Sequence, residues 1–147
     1  MSNPLELAQN RDYYFRLWER VQSHEPLISP EEALAAEVMK AHPEFHEIWN
    51  SPELYKGREF NGSAEENPFL HVAMHVVIEA QLRTGEPPIV REYAQERLNL
   101  GIDAHEVAHE LAKTFVAQLF KALRSGKLFD HERYTKALEA QLRKGTR

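Results

Sequence analysis

Six of the eight histidines in this chain fall in three pairs four residues apart: His42 with His46, His71 with His75, and His105 with His109. On an α-helix, residues i and i+4 share a face with Cβ atoms about 6 Å apart, so two imidazoles can reach one ion from a single element. Eight histidines scattered at random over a chain of this length would give roughly 0.4 such pairs, and three or more about once in a hundred sequences. The chemistry that this spacing serves is metal chelation. Cysteine is absent, which excludes disulfides, thiolate zinc sites, iron–sulfur clusters and cysteine nucleophiles together. Any ion must then be held by nitrogen and oxygen, a donor set that suits iron, zinc, manganese or nickel.

The elements that would position these rings are helices. Asn3-Pro4, Ser29-Pro30 and Asn67-Pro68 each place a capping residue before a proline at the first helical position, where the missing N–H does no harm. Ser29-Pro30-Glu31-Glu32 also reads as a capping box, and Asp103 as an aspartate cap. The expected helices run from about Pro4 to Ser23, Pro30 to Ala41, Glu44 to Trp49, Pro68 to Thr84, Ile89 to Leu100, Ala104 to Ser125 and His131 to Arg143. Pro43 restarts the chain, which puts His42 at a cap rather than inside a helix. Residues 50–66, with Pro52, Gly57, Asn61, Gly62 and Ser63, read as the one long irregular stretch. No strand alternation competes, and the expectation is one all-α domain over residues 1–147. It would be a bundle of about six to seven helices around a buried histidine-rich centre.

The segment HVAMHVVIEAQL is apolar nearly all round, the mark of a central, buried helix. Projected at 100° per residue, His71, His75 and Glu79 form one row along it. Burying such groups without partners costs several kcal/mol. In the helix after Asp103, His105 and His109 line up with Ala112, Val116, Phe120 and Leu123, the stripe expected to face the core. The proposed ligands are therefore His71, His75, Glu79, His105 and His109, with His46 and then His42 as outer candidates. Glu47 is a weaker one, and His24 and His131 are expected in solvent. Inward histidines on a helical bundle resemble hemerythrin-like centres in architecture, although carboxylates are few here. The alternative reading is a metal-free interaction or regulatory module whose histidines form a structural hydrogen-bonded network.

Composition narrows the partners. With 28% charged residues and a net charge of −5, the chain presents no basic field for phosphates, so nucleic acid is not expected. No apolar run approaches the roughly 20 residues that span a bilayer, and the N-terminus lacks the layout of a signal peptide. A cytoplasmic protein without membrane contact is expected, with a small ligand at the metal and no protein partner specified. No carboxylate base is placed beside the histidines, so the sequence leaves open whether the chain is an enzyme.

The segments HPEFH from His42 to His46, NPFLHVAMHVVIEAQL from Asn67 to Leu82, Pro87-Pro88, and His105 with His109 resemble the bacterial domain of unknown function family DUF1841. That resemblance implies an all-helical cytoplasmic protein whose paired histidines belong to the family signature, and it implies no activity. The chain departs from the family pattern after His109, with Lys113 and Ala117 where acidic residues and a cysteine are expected. A symmetric two-metal site with a carboxylate from each helix is correspondingly disfavoured.

Overall fold

Polar caps and prolines start the helices, and glycines with positive φ end several of them. The computed structural model describes residues 9–27, 29–60 and 67–145, and among these every regular element is helical. In chain order they are α1 (Arg11–Gln22), α2 (Pro30–Lys40), a 3₁₀ turn (Pro43–Phe45), α3 (His46–Asn50), α4 (Pro52–Tyr55), α5 (Pro68–Thr84), α6 (Pro88–Asn99), α7 (Ala104–Arg124) and α8 (His131–Gly145). Ser29 accepts from the Glu32 N–H, as the capping box requires, and the Asn67 side chain accepts from the N–H groups of Phe69 and Leu70. Asp130 caps α8 in the same way, accepting from Glu132 and Arg133. Among the described residues no helix is long and apolar enough to cross a membrane.

One expectation about the elements changes, and another falls on residues that are not described. The Asn3-Pro4 cap lies outside the described residues, and α1 is described from Arg11, with Asn10 at its N-cap. Residues 50–66 are not all irregular: Pro52 opens the short α4, the same cap-then-proline arrangement as at Ser29-Pro30, while residues 61–66 lie outside the described ones.

The chain divides into two compact units, Met1–Val77 and Ile78–Arg147, the division falling inside α5. The first is centred on aromatic rings. Tyr14 and Phe15 of α1, Trp49 of α3 and Phe69 of α5 lie with centroids 5.3–6.3 Å apart, and Phe69 is fully buried. Each such ring contributes about 1.5–3 kcal/mol by leaving water. Arg11 closes this unit by donating from Nη1 to the carbonyls of Tyr55, Lys56 and Arg58, with its guanidinium 4.6 Å from the Phe69 ring centroid.

The second unit packs α6, α7 and α8 through Ile89, Val90, Val107, Leu111, Phe115, Tyr134 and Leu138, all buried. The Tyr134 hydroxyl donates to Gln81 Oε1 at 2.9 Å, pairing two groups that are both out of water. Arg91 finishes α5, donating to the carbonyls of Leu82 and Arg83.

Gly85 follows that last turn at φ +74, and a Cβ there would stand 2.8 Å from an Arg91 guanidinium nitrogen. Gly101 has a similar φ, +85, with open space around it. Gly101→Ala should therefore cost only the backbone strain, about 1 kcal/mol. Gly85→Ala should cost more, about 2 kcal/mol, because Arg91 must also release one or both carbonyls. Urea unfolding of the two variants checks the order, and equal losses would show that Arg91 moves aside at no cost.

Candidate metal centre

In the first unit the histidines are regrouped relative to their spacing in sequence. His42 sits at the N-cap of the 3₁₀ turn with φ −119 and ψ 72, so no continuous helix joins it to His46 and the two rings do not share a face. His42 is buried, and its Nδ1 donates to the Val38 carbonyl at 2.7 Å. A carbonyl can only accept, so the neutral ring carries its proton on Nδ1 and turns Nε2 outward as an acceptor. His46 instead donates from Nε2 to the Met39 carbonyl at 3.0 Å and packs its ring 4.6 Å from Trp18. The structure thus separates the two outer candidates: His42 joins the α5 pair, and His46 packs against α1.

On α5, His71 Nε2 lies 3.2 Å from His42 Nε2 and 3.1 Å from His75 Nε2. His75 is buried, as is nearly every α5 position between Phe69 and Ile78. That agrees with the all-round apolar pattern of this segment. Phe45 walls the cluster, stacked on His42 and edge-on to His71.

Protons alone serve this arrangement poorly. His71 Nε2 faces two other Nε2 atoms; protonated, it can give one full hydrogen bond, and unprotonated it can accept one. With His42 Nε2 already an acceptor, one of the two contacts is left as a shared three-centre bond or as lone pair facing lone pair. A cation resolves this, because lone pairs are what it requires. The spacing also fits. Imidazole nitrogens about 2.0–2.1 Å from an ion stand about 2.9 Å apart at right angles and about 3.3 Å apart in a tetrahedron, and the observed separations fall between these values.

In the second unit, Asp103 accepts from the His105 N–H and starts α7, which carries His105 and His109 with ring centroids 4.3 Å apart. The expected core stripe is corrected. The residues that α7 buries are Val107, Ala108, Leu111, Thr114, Phe115 and Leu119, whereas His105 is exposed, His109 half-buried and Leu123 49% exposed. Larger apolar side chains define the core face, and the histidine row lies on its flank. The next residue, Glu110, is engaged elsewhere. Both of its oxygens take the Arg97 fork at 3.0 Å, and the buried Tyr93 hydroxyl donates to it at 2.8 Å. Burial pushes the Glu110 carboxyl up, but these bonds outweigh it and hold the group below the usual glutamate range. Nothing in the sequence signalled this network, since its members come from α6 and α7 at no fixed spacing.

His42 and His75 in the first unit, and His105 and His109 in the second, are histidines whose ring nitrogens could serve a metal ion. Among the described residues no carboxylate belongs to that set, and Glu79, half-buried on α5, stands outside it. Glu47 is exposed, as are His24 and His131.

No curated protein and no solved structure matches this chain. A family model described as a domain of unknown function matches residues 6–140, a span that contains all three histidine pairs and both units' helices up to α8. The chain belongs to the domain of unknown function family DUF1841.

Proposed function

We propose that this protein binds transition metal through its paired histidines, with His42, His71 and His75 as the donor set of the first unit, and His105 and His109 as a candidate pair in the second considered by itself. The observation that carries this reading is the convergence of three Nε2 atoms, His71 lying 3.1 Å from His75 and 3.2 Å from His42, an array of ring nitrogens at ligand spacing. The Nδ1 bond from His42 to Val38 is the outer contact that fixes a ligand's tautomer in metal sites. Imidazole donors without a carboxylate favour iron, zinc or nickel over magnesium or calcium. They also favour a mononuclear centre, because a bridged pair of ions normally shares a carboxylate. Fewer protein donors than an ion's coordination number leave a position for a small ligand, and a dioxygen, peroxide or anion-binding role in the cytoplasm follows for iron. Glu79 is not part of this donor set.

Elemental analysis of untagged protein purified without chelator tests the proposal. Wild type and His131→Ala should carry the same metal content, and His75→Ala and His109→Ala should each carry less. Equal content in all four would remove the proposal and favour a structural histidine network.

Two further substitutions separate ligation from packing. His46→Ala should lower stability by about 1 kcal/mol through the lost Met39 bond while leaving metal affinity unchanged. His71→Phe keeps an aromatic ring at the same place while removing its nitrogens. It should shrink the stabilisation gained on adding metal, which for wild type is about 2.7 kcal/mol at a hundredfold excess over the dissociation constant. Thermal denaturation with and without added zinc reads both, and full metal stabilisation in His71→Phe would remove His71 from the donor set.

A further inference from the structure

The turn between α7 and α8 in the second unit carries a charge opposite to that of the whole chain. From Lys121 to Arg133 there are four lysines and arginines and two carboxylates, in a protein of net charge −5. Both carboxylates are engaged, Asp130 with Arg133 at 3.4 Å and Glu132 with Lys136 at 3.2 Å. Lys121, Arg124 and Lys127 enter no ion pair among the described residues. Cations at a helix C-terminus are often held by its last carbonyls. Those of Lys121, Ala122 and Leu123 already accept from the N–H groups of Ser125, Lys127 and Gly126.

Lys121, Lys127 and Arg133 line one cavity of about 100 Å³, with Asp130 as its single carboxylate and Gln118 and Leu128 beside them. Even after Asp130 offsets one cation, two positive charges remain. The space equals about three waters at about 30 Å³ each, enough for a tetrahedral phosphate group. It is well below the about 300–1,000 Å³ of sites that enclose a whole small molecule. Leu128, which lines it, is 92% exposed, and Leu123 on the last turn of α7 is 49% exposed. One exposed leucine is ordinary. Two on the same turn, among unpaired cations, match the two things that an anionic membrane surface offers, phosphate and hydrocarbon.

We propose that the α7–α8 turn docks on anionic phospholipid, the cavity taking a headgroup phosphate among Lys121, Lys127 and Arg133 while Leu128 and Leu123 enter the acyl boundary. Free phosphate or an acidic peptide would satisfy the cations and leave both leucines in water. Each cation near an anionic surface is worth about fivefold in affinity, and the contact weakens with salt. Such docking is peripheral, so the lack of a membrane-spanning apolar run does not bear on it.

Sedimentation of the full-length protein with lipid vesicles reads this directly. Phosphatidylcholine vesicles containing phosphatidic acid should carry the protein down, and pure phosphatidylcholine should not. Lys121→Gln combined with Lys127→Gln should weaken binding at least about tenfold, and Leu128→Ser at least about threefold. All three positions are exposed, so both variants should keep the fold, which circular dichroism checks. Lys40→Gln, at an exposed lysine of the first unit, should bind as wild type does. Equal binding to pure phosphatidylcholine overturns the proposal, as does a loss in Lys40→Gln matching that of the double variant, or full binding by Leu128→Ser. Inorganic phosphate or polyglutamate that binds as tightly as the vesicles, at equal charge, would make the occupant a soluble anion or an acidic chain and would also overturn it.

Discussion

The burial of α5 is the constraint on which the rest depends. From Phe69 to Ile78 almost every position is out of water, so a polar group on this helix must be satisfied by what packs against it. His71 and His75 are such groups. The protein answers within the first unit by bringing His42 over from the end of α2, and the Val38 carbonyl dictates which of its nitrogens is presented. The cluster is thus a product of core packing: the helix that cannot face solvent decides where the imidazoles go, and the break at Pro43 supplies the third ring.

The aromatic cluster of Tyr14, Phe15, Trp49 and Phe69 sets the frame for that arrangement. Phe69 lies two residues before His71 and meets rings from α1 and α3, so the start of α5 is gripped from two other helices. Edge-to-face aromatic contacts each add about 0.5–1.5 kcal/mol and favour particular angles, which makes the grip directional as well as apolar. In the second unit the comparable task falls to the fork of Arg97 on Glu110 together with the Tyr93 hydroxyl. The pairing is partly buried, bidentate and supported by a third donor, which distinguishes it from the exposed ion pairs on α8 that contribute little.

Much of this was legible in the sequence, and the misses have physical causes. Helix starts could be read because a cap followed by proline is a local signal, and the all-round apolar character of α5 because burial on every side leaves no polar stripe. The pairing of His42 with His46 could not be resolved from spacing: i,i+4 means a shared face only along an unbroken helix, and the backbone at His42 is not helical. The core face of α7 was displaced because histidines counted toward an apolar stripe, whereas Val107, Leu111, Phe115 and Leu119 bury more surface along a neighbouring line. Glu79 lay in register with the two α5 histidines, but register along one helix does not specify which groups arrive from other segments. The Arg97–Glu110–Tyr93 network joins separate helices, and only the folded chain reveals it.

Arg11 gathers three backbone carbonyls from the end of α4 while its flat face lies against Phe69 and Phe60. Those two duties draw on different parts of one group, the in-plane N–H donors and the out-of-plane π surface. Lysine carries the same charge on a rounded ammonium with no plane to divide between them. The position therefore demands a shape more than a charge, and an amino-acid change conventionally counted as conservative would be a severe one here.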